Sequence, residues 1–274
     1  MKILLEITGK EFRQLADYIK INYGINLKEE KKTLIVSRLY KVLQEKNFKS
    51  FSDYYQYILS DQSGKAGMEL IDRISTNHTF FMREANHFDY FRDYVLPFLA
   101  KTNREKDLRI WSAGCSTGEE PVTLAIIIDD FFGTEKRWWD TKILATDISS
   151  KALEIARKGI YENKSLAKLP LNWQRRYFKK RDAHTSVLVD ELKKEIIYRK
   201  FNLMEKTFSF KRKFQVIFCR NVMIYFDDLT KTELVRKLYE ATDSGGYLFI
   251  GHTEALNRQT TKYRYIMPAV YRKE

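Results

Sequence analysis

The sequence predicts an α/β protein in which an N-terminal all-helical domain precedes a Rossmann-like domain that carries a small inserted β-subdomain. Three observations lead to this prediction. The first 75 residues show helical periodicity and no strand pattern. From residue 108 onward, short apolar runs alternate with helical patterns, as they do around a mostly parallel sheet. Residues 159–200 interrupt that alternation with two further runs of strand character.

The helical domain, assigned to residues 1–75, is predicted from four amphipathic segments. The first begins at Thr8, where the order Thr-Gly-Lys-Glu is a capping box ahead of an apolar face. The third begins near Ser50, and the fourth covers residues 67–75. The second segment places its apolar residues on one helical stripe: Leu34, Ile35, Leu39, Val42 and Leu43.

A linker and connecting helix, residues 76–107, lead to the α/β domain of residues 108–274. The helix begins near Glu84 and buries a face that includes Phe88, Tyr94 and Phe98. The predicted strands of the α/β domain are 108–113, 142–147, 214–219, 247–250 and 265–271, with helices at 119–132, 149–158 and 228–242. Pro268 favours an edge position or a bulge for the last strand. The inserted subdomain, 159–200, is predicted to contain a helix at 172–178 and strands at 185–189 and 196–201.

The most informative motif lies at residues 111–121, which have the sequence WSAGCSTGEEP between an apolar run and a helical pattern. Glycines let the backbone approach a ligand closely, and a helix N-terminus offers unpaired N–H groups. Asp147 ends the next predicted strand, where a carboxylate can accept hydrogen bonds from both ribose hydroxyls. The glycine order G-x-x-x-G and the 29 residues from Gly118 to Asp147 differ from the dinucleotide fingerprint. The motif therefore favours S-adenosylmethionine (SAM), an adenosine cofactor without phosphates.

Composition restricts the partners and the compartment. The net charge is +13, and residues 157–200 hold 13 basic against five acidic side chains. Such an excess favours an acidic partner, whether nucleic acid, an anionic membrane or a carboxylate-rich protein, although it could also serve solubility alone. The two cysteines adjoin predicted strands, which disfavours a disulfide framework or a zinc site and favours the cytoplasm. No apolar run approaches the ~18 residues of a membrane span, so we expect no membrane insertion.

Three segments together resemble the chemotaxis receptor glutamate O-methyltransferases, the CheR family. They are residues 75–84 (STNHTFFMRE), residues 111–121 and residues 218–226 (FCRNVMIYF). Their order and spacing match that family, as do the helical domain and the insert, so the resemblance covers nearly the whole chain. It implies a class I SAM-dependent methyltransferase domain. It also implies methylation of chemoreceptor glutamates for sensory adaptation, with S-adenosylhomocysteine as the second product. We expect a cytoplasmic monomer that binds no nucleic acid.

The resemblance also implies roles for individual residues. Arg83 and Tyr225 are the catalytic candidates, at the reaction centre and beside the transferred methyl group. Arg38 and Lys41, with Lys31 and Lys32, would form the basic face that meets receptor methylation helices. The cofactor-binding candidates are Asn77, Thr79, Arg83, Glu120, Asp147, Asn202, Leu203, Asn221 and Val222.

The predicted chemistry explains why no catalytic triad is visible. A glutamate carboxylate with a pKa near ~4.3 is already a nucleophile at neutral pH, so no general base is required. No metal is expected either, because His78 and His184 lack partners at metal-ligand spacing.

Each candidate also has a purely structural explanation. Asn77 and Thr79 could cap the helix that follows, and Arg83 could form a surface ion pair near Glu84. Asp147 could cap the helix that follows its strand. The basic face could be a solvated helix edge.

Alternative functions remain open at this stage. One is a methyltransferase of the same build that acts on another acidic protein of a different signalling pathway. Another is a basic module that binds nucleic acid or membranes. A nicotinamide dehydrogenase is a third, which the glycine spacing disfavours.

The chain departs from part of the family at residues 180–186 (KRDAHTS), which contain no glycine. Family members that dock on a receptor's C-terminal tail peptide have a glycine-rich loop there. We therefore expect methylation that is independent of the tail. The neighbouring basic cluster would contact the receptor directly; it consists of Arg175, Arg176, Lys179, Lys180 and Arg181.

Overall fold

The structure, a computed structural model, describes residues 6–274. Four helices come first: α1 (Gly9–Tyr23), α2 (Lys32–Glu45), α3 (Phe51–Ser60) and α4 (Lys65–Ile74). The predicted capping box forms at the start of α1. Thr8 Oγ1 accepts the Glu11 N–H at 3.2 Å, and Glu11 Oε2 accepts the Thr8 N–H at 2.8 Å. Both groups would otherwise lack a partner at the helix start, so the bonds fix where α1 begins.

The apolar faces of the four helices pack into one core, which includes Phe12, Leu39 and Tyr54. The predicted stripe on α2 is wrong at one position. Leu34 is 38% exposed, whereas Ile35, Leu39, Val42 and Leu43 are buried. Its side chain lines a cavity described below, so its apolar character has a use other than the helical core.

The connecting helix consists of α5 (Ala85–Tyr90), a π-helical turn (Phe91–Val95) and α6 (Leu96–Thr102). Phe88 is buried against the α/β core, as predicted. Tyr94 was expected on the same face, but it is 64% exposed and stacks on Tyr90. A π turn inserts an extra residue, so a face extrapolated at 3.6 residues per turn goes out of phase there.

A seven-stranded sheet forms the centre of the α/β domain. The strands are β1 (Ile110–Ala113), β2 (Ile143–Asp147), β6 (Ile196–Lys200), β7 (Phe214–Cys219), β8 (Thr242–Ile250), β9 (Arg264–Met267) and β10 (Val270–Arg272). Their order across the sheet is β6-β2-β1-β7-β8-β10-β9. The first five strands in this order pair in parallel, and β10 is antiparallel to both of its neighbours. The main crossover helices are α7 (Glu119–Phe132), α8 (Ser150–Lys158) and α12 (Asp228–Ala241). The strand order reverses between β1 and β7, where open parallel sheets bind ligands.

Two sequence predictions about strands are wrong. The last strand, expected over 265–271, is a hairpin of β9 and β10 with Pro268 in its turn. The strand expected at 196–201 inside the insert is β6, which pairs in parallel with β2 in the main sheet. Buried and exposed residues alternate along β6, as they do in a strand of a small antiparallel sheet. Periodicity alone therefore could not show which of the two sheets this strand belongs to.

The insert is therefore narrower than residues 159–200. It contains a three-stranded antiparallel sheet in the order β3-β5-β4. The strands are β3 (Ile160–Glu162), β4 (Phe178–Lys180) and β5 (Thr185–Leu188), and the helices are α9 (Asn163–Leu166), α10 (Leu171–Tyr177) and α11 (Asp190–Lys193). Within residues 6–274, no helix has both the length and the apolar character that crossing a bilayer requires.

Candidate active site

A cavity of about 500 Å³ lies beyond the carboxyl ends of β1, β2 and β7, at the point where the strand order reverses. The segment from Tyr23 to Leu34 and the linker after α4 form its opposite wall. The structure brings all of the cofactor and catalytic candidates to this one cavity. They are Asn77, Thr79, Arg83, Glu120, Asp147, Asn202, Leu203, Asn221, Val222 and Tyr225.

The turn from β1 to α7 uses glycine for two different steric reasons. Gly114 has a φ of +87°, and a Cβ there would lie 2.4 Å from Val222 Cγ2. Gly118, with a φ of +95°, is the N-cap residue of α7. A Cβ on Gly118 would meet the Tyr198 hydroxyl at 2.9 Å. The absence of a side chain at Gly114 thus leaves room for Val222 beside the cavity, whereas its absence at Gly118 lets α7 pack closely on its neighbours.

Asp147 ends β2 with its carboxylate buried at the cavity wall, 8% exposed. The Ser116 N–H donates to Oδ2 at 2.7 Å, and the Ser149 N–H donates to Oδ1 at 2.8 Å. The capping explanation for Asp147 is wrong, because Ser149 caps α8 by accepting the Ala152 N–H. Burial raises the Asp147 pKa, although the backbone donors oppose this effect. Each carboxylate oxygen keeps acceptor capacity for a further hydroxyl.

The linker of residues 75–80 has no regular secondary structure and lies along the cavity. The Asn77 carbonyl accepts a hydrogen bond from Ser116 Oγ at 3.1 Å, which ties the linker to the glycine turn. The next helix begins at Ala85 and has no side-chain cap. Asn77 and Thr79 therefore do not cap it, and that explanation is wrong.

Arg83 is held at two points on the cavity wall. Its Nη1 donates to the His78 carbonyl at 2.8 Å, and its Nη2 donates to Asn221 Oδ1 at 2.7 Å. The surface ion pair considered for Arg83 does not form, since Glu84 pairs with Arg220 instead. Within residues 6–274 the Arg83 guanidinium has only neutral partners, so its charge faces the cavity uncompensated.

The sequence analysis missed a buried charge network directly beneath this wall. The Arg220 side chain is 2% exposed and contacts Glu84 Oε2 at 3.0 Å and Glu120 Oε2 at 2.9 Å. Burial acts to raise the Glu84 pKa, but the Arg220 guanidinium outweighs it and the pKa is lowered. Glu120 Oε1 also accepts from Ser112 Oγ at 2.7 Å. The sequence feature that could have predicted this network is the position of Arg220, which directly follows the apolar run of β7.

Asn202 and Leu203 form a loop fixed from two sides. Asn202 Nδ2 donates to the Asn22 carbonyl of the helical domain at 2.8 Å. The Leu203 carbonyl accepts from Lys237 Nζ at 2.7 Å. Lys237 is 4% exposed, and burial lowers its pKa. Sequence reasoning missed Lys237, because a lysine on an amphipathic helix ordinarily indicates a solvated face.

Arg38 and Lys41, the substrate-binding candidates, do not line the cavity. Arg38 donates to the Ser75 carbonyl and to Thr76 Oγ1, each at 3.2 Å, and so fastens α2 to the linker. Lys41 is 72% exposed and lies 3.6 Å from Glu45. Their contact with a substrate stays a prediction. The lysines that line the cavity mouth are Lys28 and Lys31.

The chemistry of the cavity fits SAM. A buried carboxylate with free acceptor capacity lies at one wall, beside a glycine turn that a Cβ would obstruct. Asn202 and Leu203 form the adjoining wall. Asp147 would hold the ribose, and the linker side of the cavity would hold the methionine end.

Comparisons with known proteins establish the family of this chain. Residues 77–271 match the family described as CheR methyltransferase, SAM binding domain, and residues 10–75 match CheR methyltransferase, all-alpha domain. The chain belongs to the CheR methyltransferase family. It is thus a SAM-binding methyltransferase with an N-terminal all-helical domain, and the resemblance stated from its motifs is confirmed.

Curated relatives of this CheR-family chain match it over nearly its full length. A chemotaxis protein methyltransferase from Borreliella burgdorferi is 41% identical over 272 residues, which covers 98% of this chain and 96% of that protein. A probable chemotaxis protein methyltransferase from Rhizobium etli is 35% identical, over 91% of this chain and 97% of that protein. The chemotaxis protein methyltransferase of Escherichia coli is 33% identical, over 97% and 92%.

Proposed function

We propose that this methyltransferase transfers the methyl group of SAM to glutamate carboxylates on chemoreceptor methylation helices, as a step of sensory adaptation. One observation carries the proposal. The Arg83 guanidinium is fixed by two neutral acceptors in the cofactor cavity, so it retains a full positive charge for an incoming carboxylate. The family and the names of its curated relatives support chemotaxis as the setting.

The residues of this chain would act by position and charge. Bound SAM supplies an electrophilic methyl group on a sulfonium. Arg83 would hold the substrate carboxylate at the methyl end of the cofactor, and Tyr225, which lines the same cavity, would border the approach. An oxygen–methyl bond forms as the sulfur–methyl bond breaks, giving a glutamate methyl ester and S-adenosylhomocysteine. No proton moves, so no general base is needed.

The cavity mouth carries a small excess of positive charge and some apolar surface, which supports contact with an amphipathic acidic helix. Lys28 and Lys31 are exposed there beside one exposed carboxylate, Glu30, and Leu34 and Ile224 add apolar surface that is 38% and 44% exposed. The Tyr225 carbonyl accepts the Asn26 N–H at 2.8 Å, which holds the two sides of the mouth together. We place the receptor contact at these lysines, with Arg38 positioning the linker behind them.

Incubation with methyl-labelled SAM and receptor-containing membranes tests the proposal. We expect label on the receptor that mild base releases as methanol, because carboxyl esters are base-labile. Asp147→Asn is the matched control and should lose the labelling through weaker SAM binding. Base-resistant label would overturn the glutamate assignment. Labelling of a different acidic protein, with the receptor unlabelled, would favour the alternative pathway.

The nucleic-acid-binding alternative gains no support from the insert. Trp173, Tyr177 and Phe178 are 5%, 2% and 7% exposed, so they pack in the core and offer no surface on which bases could stack. In the basic cluster, Arg176 pairs with Asp129 at 2.9 Å.

We further propose that methylation does not depend on a receptor tail peptide. The β4–β5 turn is closed by Asp182, whose side chain accepts the His184 and Thr185 N–H groups at 2.8 and 2.7 Å. The Thr185 hydroxyl also donates to this carboxylate, at 2.6 Å, and these three bonds lower the Asp182 pKa to about 2. A receptor truncated at its C-terminus should be methylated as fast as the intact receptor. A rate several-fold lower would contradict tail independence while leaving the chemistry unaffected.

A further inference from the structure

A cluster of three potential metal ligands lies behind the cofactor cavity. Ligand atoms of Glu84, His87 and His252 all lie within 4.8 Å of one another. Glu84 and His87 are one turn apart at the start of α5, with His87 Nδ1 3.5 Å from Glu84 Oε2. His252 follows β8, and its ring centroid is 4.6 Å from that of His87. Sequence reasoning expected no metal because it considered only His78 and His184, which lack partners at metal-ligand spacing.

His87 is the unusual member of this cluster. Its side chain is fully buried, yet neither ring nitrogen forms a hydrogen bond within residues 6–274. A buried polar atom without a partner is costly, so such atoms call for an explanation.

The separations suit a four-coordinate zinc-type ion. Bonds of about 2.0–2.1 Å in tetrahedral geometry place neighbouring ligand atoms about 3.3 Å apart. The separation of His87 Nδ1 and Glu84 Oε2 is already close to this value. His252 is exposed, so its side chain can turn inward and also provides an entry path from solvent.

The surroundings supply outer contacts of the kind that metal ligands use. Glu84 Oε2 accepts from Arg220 Nη2 at 3.0 Å, and ligating carboxylates are themselves commonly hydrogen-bonded. Arg220 pairs with both Glu84 and Glu120, so this group carries one net negative charge before an ion binds.

We propose that Glu84, His87 and His252 form a binding site for one divalent transition-metal ion of the zinc type, with the fourth position open. Two histidines and a carboxylate are a ligand set that suits such ions. Because Glu84 also contacts Arg220 and Asn221, an ion bound there adjoins the wall that holds Arg83.

Calorimetric titration of the full-length, chelator-treated protein with Zn²⁺ tests the site, with the visible absorption of Co²⁺ as a second readout. We expect one saturable equivalent and a four-coordinate Co²⁺ spectrum. His252→Ala should weaken binding at least tenfold, because it removes an exposed ligand without opening the core. His184→Ala is the matched control, since it removes an exposed histidine of the insert and should bind as the wild type does.

Two results would overturn the proposal. One is the absence of saturable binding by the wild-type protein. The other is equal affinity in the wild type and His252→Ala. Glu84→Gln provides a further arm in which the shape is kept and the anionic ligand is lost. If that variant binds Zn²⁺ as tightly as the wild type while remaining folded by circular dichroism, the site is not the one proposed.

Discussion

Two arginines at the cavity differ in whether a carboxylate neutralises their charge. Arg220 is 2% exposed and is neutralised by Glu84 and Glu120. Arg83 borders the cavity and bonds only to the His78 carbonyl and to Asn221. A cation already paired with a carboxylate gains little from a second one, so Arg83 is the residue equipped to receive an anionic substrate.

Arg83→Ala should therefore lower turnover much more than SAM affinity. We expect kcat to fall by about 100-fold, as when one preorganised donor is removed from a transition state, with a SAM Kd within about fivefold of the wild type. Receptor methylation kinetics and calorimetric SAM binding measure the two quantities. Arg104→Ala removes an exposed arginine away from the cavity and should change neither. A SAM Kd that worsens as much as kcat would instead make Arg83 a cofactor-binding residue.

At the scale of elements, the turn between β1 and α7 determines the shape of the cofactor floor. Gly114→Ala should weaken SAM binding and lower the free energy of unfolding for two separable reasons. The positive φ costs about 1–2 kcal/mol for any side chain. In addition, the new Cβ would lie 2.4 Å from Val222 Cγ2, so the loop after β7 must shift.

Adding Val222→Ala to the Gly114→Ala variant should remove the clash with Val222 and leave only the cost of the positive φ. Gly64→Ala serves as the control, because Gly64 also has a positive φ, +70°, but has nothing within 4 Å of the added Cβ. SAM affinity and urea unfolding should rank Gly64→Ala mildest, the double variant next and Gly114→Ala most severe. If the single and double Gly114 variants behave alike, the contact with Val222 is not what requires glycine.

The elements also indicate how far sequence reasoning reaches. The strand β7 was predicted at its observed bounds, because a continuous apolar run followed by polar residues is typical of a buried parallel strand. The strand β6 was assigned to the insert instead of the main sheet, because pairing partners are decided by packing and not by local pattern. Leu34 was wrongly placed in the helical core for the same reason. Periodicity predicts which side chains share a helical face, but it does not predict which part of the protein packs against that face.

The site residues divide in a similar way. Asp147 and the glycines could be predicted because strand ends and tight turns impose residue types locally. Arg220, Lys237 and the cluster around His87 could not, since each depends on partners far along the chain. The basic residues chosen for the substrate face, Arg38 and Lys41, were selected by charge alone, which does not distinguish a linker clamp from a binding surface.

At the scale of the whole molecule, the cavity exists because the helical domain is fastened onto the methyltransferase domain. Three contacts join them beside the cavity: Lys20 with Asp227 at 2.8 Å, the Asn26 N–H with the Tyr225 carbonyl at 2.8 Å, and Asn202 with the Asn22 carbonyl at 2.8 Å. The Lys20 ammonium lowers the Asp227 pKa, and Asp227 also caps α12 by accepting the Thr230 N–H. The first contact therefore connects α1 to the start of α12.

Lys20→Met tests whether this fastening matters for the cofactor. The pair is partly exposed, with Lys20 at 45%, so its loss should weaken SAM binding by no more than about fivefold. Any weakening of SAM binding is informative, because Lys20 does not line the cavity and can affect SAM only through the position of the helical domain. Lys10→Met, at the other end of the same helix, should leave the SAM Kd unchanged. Raising the salt concentration should reduce the difference between Lys20→Met and the wild type, because exposed charges are screened. A Lys20→Met variant that binds SAM as the wild type does at low salt would show that the other contacts between the two domains hold them together without this ion pair.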